Sequence, residues 1–142
     1  MKTIVNIQIT KKLQDIPNKN EFYNWIRNTT KKAFNITIKI VSKKEITFLN
    51  KKYKNKNTET NVLTFKYEAN TNLIIGDIIL CANVINKEAE KLKINKLLHW
   101  SHMTIHGTLH LLNYTHESLA DTINMKNLEI KIIKSIFIHK KK

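Results

Sequence analysis

His106-Gly107-Thr108-Leu109-His110-Leu111-Leu112-Asn113-Tyr114-Thr115-His116 places three imidazoles at a spacing that can be read residue by residue. Two residues four apart lie on one face of a helix, about one turn apart, so His106 and His110 point at a single ion. His116 lies six residues further on, where a continuous helix would carry it away from the other two. The chain must therefore turn. Asn113 stands where the helix needs a terminating residue, and asparagine, after glycine, best tolerates the left-handed conformation of a helix C-cap. That turn brings His116 back to complete a three-nitrogen site.

Structural zinc is normally enclosed by four protein ligands, whereas three ligands and an open position admit water or substrate. His106, His110 and His116 are accordingly the expected metal ligands, for one Zn2+ per chain. His102 lies one turn before His106 on the same stripe and His99 nearly above it; each reads as a supporting or packing residue, although His102 as a fourth nitrogen would close the site. The usual zinc-peptidase motif has a glutamate directly after its first histidine as general base. Here that residue is Gly107, so a peptidase reading falls.

The stretch from His99 to Glu129 resembles the signature of the bacterial YbeY-type rRNA maturation factors, whose pattern is H-G-x-L-H-L-x-G-Y-D-H followed by a helix with Met and Glu. His106, Gly107, Leu109, His110, Leu111, Tyr114 and His116 match it, as do Met125 and Glu129. A second block, Leu49-Asn50-Lys51-Lys52-Tyr53-Lys54, then Thr60 to Phe65 and Gly76-Asp77-Ile78, is similar to the same family. Three positions depart from it. Asn113 replaces a glycine, Thr115 an aspartate, and Lys54 an arginine, which keeps the charge but loses the planar bidentate fork.

The resemblance implies a metal-dependent, single-strand-specific endoribonuclease of rRNA maturation, acting at the 16S rRNA 3′ end and in ribosome assembly or quality control. Its partners would be single-stranded RNA and the ribosome or its small subunit, with no membrane and no DNA expected. His106 and Lys54 would be catalytic, Lys54 as the cation that meets developing phosphate charge, unless it is one exposed lysine among many. Asn61 would line the RNA cleft with Lys54, and Asp77 and Glu129 are candidate carboxylate partners for a histidine N–H. Two alternatives stay open: a non-catalytic assembly factor with a stabilising metal, and a metallohydrolase of other substrates.

The chain of 142 residues fits one domain, residues 1–142, with 42% hydrophobic residues. A single cysteine, Cys81, excludes an internal disulfide and fits a reducing, cytoplasmic compartment. Residues 1–12 alternate Val5, Ile7 and Ile9 with polar residues, as a strand does and a signal peptide does not. The net charge of +14 suits phosphate binding. Yet all but Arg27 of the 25 cations are lysine, a bias that AT-rich coding also produces.

Periodicity gives an α+β order and a small mixed sheet packed with helices, the histidine helix in its core. Strands are expected at 3–9, 35–41, 61–67 and 73–81, the last two joined as a hairpin through residues 68–72. Helices are expected at 20–34, from a Ser42/Glu45 capping box to about residue 52, at 84–92, at 96–112, and after a Ser118/Asp121 cap.

Overall fold

The computed structural model describes residues 3–9, 16–54, 60–67 and 72–138. The elements run β1 (Ile4–Ile9), α1 (Lys19–Thr29), β2 (Ala33–Val41), α2 (Lys43–Lys54), β3 (Val62–Lys66), β4 (Leu73–Cys81), α3 (Ala82–Leu92), α4 (Lys96–Leu111) and α5 (Leu119–Phe137). The strands form one sheet in the order β1-β2-β4-β3. β1, β2 and β4 are parallel, and β3 closes the sheet antiparallel to β4. This is the expected α+β class with a mixed sheet.

Strict alternation in β2 sends Phe34, Ile36, Ile38 and Ile40 to one face, where all four are fully buried. They register with Ile74, Gly76, Ile78 and Leu80 of β4. On this face sit Phe22, Trp25 and Ile26 of α1, Trp100, Ile105 and Leu109 of α4, and Met125 and Ile136 of α5. The opposite face is smaller: Leu63, Ile79 and Cys81 pack with Ile46 of α2. The histidine helix thus lies on the main core face and α2 on the other, an arrangement that sorts every residue of β3 and β4 by its parity.

The first helix is shorter than its periodicity predicts. It ends at Thr29, and Phe34, assigned to it by sequence, is instead a core residue of β2. Thr29 and Thr30 are β-branched and stiff at χ1, and Thr30 adopts extended angles, φ −143° and ψ 145°. Arg27 fixes the stop by donating to the Thr30 carbonyl at 3.0 Å and the Lys32 carbonyl at 3.3 Å. At its other end, Asn18 and Glu21 form a full capping box. The two caps expected from the sequence form. Ser42 Oγ accepts from Glu45 N–H at 3.2 Å, and Ser118 Oγ from Asp121 N–H at 3.0 Å. The chain between β3 and β4 at residues 68–71 lies outside the described residues, but the two strands pair antiparallel, as a hairpin requires.

Candidate metal centre

α4 starts on an Asn95 cap and runs through His106 and His110. Its end is set by Asn113, which takes φ 74°. Asn113 N–H donates to the His110 carbonyl and Tyr114 N–H to the Leu109 carbonyl, each at 3.0 Å, the bond pair of a Schellman motif. The turn does what the spacing requires. His106, His110 and His116 bring one ligand atom each to within 4.8 Å of one another. The ring centroids of His106 and His110 are 4.6 Å apart, and that of His116 lies 5.0 Å from His110 and 5.9 Å from His106.

The donor set fits a metal because the outer nitrogens are already committed. A backbone carbonyl only accepts, so the 3.0 Å contact of His110 Nδ1 with the Tyr114 carbonyl puts the proton on Nδ1. Glu129 holds His106 Nδ1 in the same way, at 2.5 Å. Burial favours protonation of the Glu129 carboxyl, but the bonds from His102 and His106 outweigh it and bring its pKa down to about 2, so it is a carboxylate that accepts. In the neutral ring each Nε2 then presents its lone pair, and the two face each other at 3.0 Å. A contact that short needs a proton between the two nitrogens or a metal cation beside them. Zn–N bonds of about 2.0–2.1 Å would separate two nitrogens of one tetrahedron by about 3.3–3.4 Å, close to the spacing present. Burial, then the neighbouring His106 and His116, lower the His110 pKa, which keeps it neutral and able to ligate.

His102 is not in this group. Its Nε2 lies 2.8 Å from Glu129 Oε1, so it reaches His106 only through the shared carboxylate. Three nitrogens, with His116 exposed to solvent, leave room for a further ligand from outside. Gly107 explains the missing glutamate: a Cβ there would stand 2.9 Å from Ile78 Cγ2 and 3.4 Å from Thr64 Cγ2. The position after the first histidine is pressed against the sheet, where no general base could act.

The sequence profile of the family described as Endoribonuclease YbeY matches residues 4–137. The chain belongs to the YbeY endoribonuclease family. It is 47% identical to the endoribonuclease YbeY of Buchnera aphidicola subsp. Cinara cedri, over 93% of this chain and 90% of that one. With the endoribonuclease YbeY of Nitrosomonas eutropha it shares 40% identity over 91% of each. The fold is similar to the solution structure of a Thermotoga maritima protein, with TM-score 0.65 and 21% identity over 97% of this chain and 92% of the other.

The other residues singled out by their match to YbeY patterns are placed unequally. Glu129 bridges His102 and His106. Asp77 belongs elsewhere, and the expectation that it supports a histidine is corrected by the sheet. Ile78 faces α4, so its neighbour Asp77 faces the α2 side by alternation. There it pairs with Lys39 Nζ at 2.9 Å and accepts from the Tyr67 hydroxyl. Asn61, expected in the RNA cleft, has its amide nitrogen 3.0 Å from Glu88 Oε1 and 3.0 Å from Met103 Sδ, so this donor is held inside the fold. Thr64 pairs in the β3–β4 ladder opposite Ile78. Lys54 closes α2, and its side chain lies outside the described residues. Sequence reasoning missed the Tyr114 carbonyl and the Glu88 carboxylate, which also meets His99 Nε2 at 2.9 Å. The first was available in principle, since a left-handed residue at 113 turns the next carbonyl back on the helix. The second needs the packing of α3 on α4.

Proposed function

We propose that this chain is a zinc-dependent endoribonuclease that cuts single-stranded rRNA, maturing the 16S 3′ end on the small ribosomal subunit in the cytoplasm. The observation that carries the reading is the engagement of both outer nitrogens, His106 Nδ1 by Glu129 and His110 Nδ1 by the Tyr114 carbonyl, with both Nε2 atoms converging beside His116. Its membership of the YbeY endoribonuclease family supports RNA as the substrate. Three imidazoles and an open position are the donor set of a hydrolytic zinc site. Zinc held there supplies Lewis acidity toward a phosphoryl oxygen and lowers the pKa of water from about 15.7 to about 7.

The chain's own groups do the rest. Glu129 keeps the His106 proton on Nδ1, and the Tyr114 carbonyl does so for His110. Lys54, at the family's arginine position, brings a cation to the phosphate as its charge rises. The excess of cations, +14 overall, favours a polyanion, and a strand free of pairing presents a flexible phosphate that a duplex does not.

Zinc content measured beside cleavage of a labelled single-stranded RNA tests this. The wild type should hold about one zinc per chain, cut the single strand in preference to a duplex at equal salt, and stop on chelation. His110→Ala should lose both metal and cleavage. Lys54→Ala should lower turnover more than RNA affinity, with Lys54→Arg retaining activity. Full zinc occupancy in His110→Ala refutes the ligand set, and tight RNA binding without cleavage by zinc-loaded wild type leaves an assembly factor.

A further inference from the structure

The face of the sheet turned away from the histidines carries a second feature that metal chemistry does not use. Between α2 and the β3–β4 pair lies a cavity of about 230 Å3. Tyr53 and Phe65 meet edge to face in its wall, with centroids 5.3 Å apart. Tyr67 stands at its rim. Tyr53 and Tyr67 are exposed by 55% and 59%. Lys52 Nζ lies 5.3 Å from the Tyr53 ring centroid, and Lys39 enters from β2 to pair with Asp77 at 2.9 Å. The cavity is smaller than the roughly 300 Å3 where drug-sized ligand pockets begin, which suits one planar ring.

We infer that this cavity is a base-stacking subsite for the same RNA strand that reaches the metal centre; the inference rests on the endoribonuclease reading. An exposed aromatic pair flanked by ammonium groups is the equipment with which proteins hold single-stranded nucleic acid: the rings stack on a base and the cations meet the adjoining phosphates. Asp77 does not repel that strand, because Lys39 neutralises it and Tyr67 donates to it. That bond, then burial and the Asp77 charge, raise the Tyr67 hydroxyl pKa to about 12, so the ring stays uncharged beside a polyanion.

The subsite is continuous with the metal centre around the free edge of β3. Lys66 Nζ donates to Asn113 Oδ1 at 3.1 Å, at the turn between His110 and His116. The next residue, Tyr67, reaches Asp77 on the opposite face. Two adjacent residues thus touch both sites, and a strand crossing that edge has Lys66 beneath its backbone. A larger cavity of about 600 Å3 beside α3 is lined by Lys43, Val84, Lys87, Glu88, Glu90 and Lys91, with no aromatic ring among the described residues. It offers no ring on which a base could stack.

The test uses the full-length zinc-loaded protein and a single-stranded RNA of about 12 nucleotides, within the about 4–16 nucleotides such surfaces cover, carrying 2-aminopurine at successive positions. Wild type should quench the fluorophore at one position away from the cut. Tyr53→Ala/Tyr67→Ala should abolish that quench and weaken binding about 5- to 150-fold, the range for losing a stacked base. Cleavage of a dinucleotide, below the about four nucleotides at which such surfaces begin, should be unchanged, which also reports that the variant is folded. Tyr67→Phe keeps the ring and should behave as wild type. If the double variant binds and quenches as wild type while cutting both RNAs, the subsite is refuted and the endoribonuclease reading stands. If wild type binds and quenches without cutting, the subsite stands and the endoribonuclease reading falls. Loss of binding to an acidic protein but not to RNA in the double variant also overturns the subsite, in favour of a protein-docking face.

Discussion

Glu129→Gln removes one charge from the centre of the site while conserving volume, and its consequence can be worked from the geometry. The Glu129 carboxylate accepts from His102 Nε2 at 2.8 Å and His106 Nδ1 at 2.5 Å, with its side chain only 7% exposed. Its pKa falls from 4.5 to about 2. At about 1.36 kcal/mol per pH unit this corresponds to about 3 kcal/mol of stability. A neutral hydrogen bond kept by the amide returns about 1 kcal/mol, leaving a loss of about 2 kcal/mol. The sign follows from a depressed carboxyl: the contribution is complete above pH 4.5 and is lost as pH falls towards 2. Metal-free wild type should therefore lose this component across that window in urea denaturation, and Glu129→Gln should show a flatter profile and a lower stability near neutrality. The amide also offers an N–H to one of the two rings. Where that ring is His106, the proton moves to Nε2 and the lone pair for metal is lost. Zinc affinity should fall about 10- to 100-fold, as when outer partners of metal ligands are removed. An unchanged zinc affinity together with an unchanged pH profile would refute the role given to Glu129.

Gly107→Ala should destabilise by up to about 2 kcal/mol in urea denaturation, because a clash with Ile78 at 2.9 Å costs about 1–3 kcal/mol and the better helix propensity of alanine offsets about 1. Asn113→Gly should keep or slightly raise stability, whereas Asn113→Val, forced to φ 74°, should lose about 1–3 kcal/mol and weaken zinc binding by moving His116; equal behaviour of the two variants would show that the left-handed turn is not needed. Ile38→Ala, at a fully buried position, should lose about 2–5 kcal/mol without changing zinc stoichiometry. Ultraviolet titration should find one tyrosine ionising near pH 12 in the wild type, and Asp77→Asn should return it towards about 10.

What the sequence by itself determined is what depends on neighbours along the chain. The i, i+4 pair of His106 and His110, the turn at Asn113 and the caps at Ser42 and Ser118 are local geometry, and residue identity carries it. The alternation of Ile36, Ile38 and Ile40 likewise specified a strand with one buried face. Tertiary structure decided what depends on which faces meet. Alternation says that Asp77 and Ile78 point oppositely, but only the placing of α4 on one face of the sheet and α2 on the other put Asp77 with Lys39 and Tyr67 rather than with a histidine. Glu129 is 23 residues from His106, and the two meet because α5 packs on α4. Periodicity also misjudged the end of α1. Phe34 continues a helical apolar pattern as well as it begins a strand, and its choice was made by the core of the sheet, a partner that is remote in sequence and so invisible to any local window.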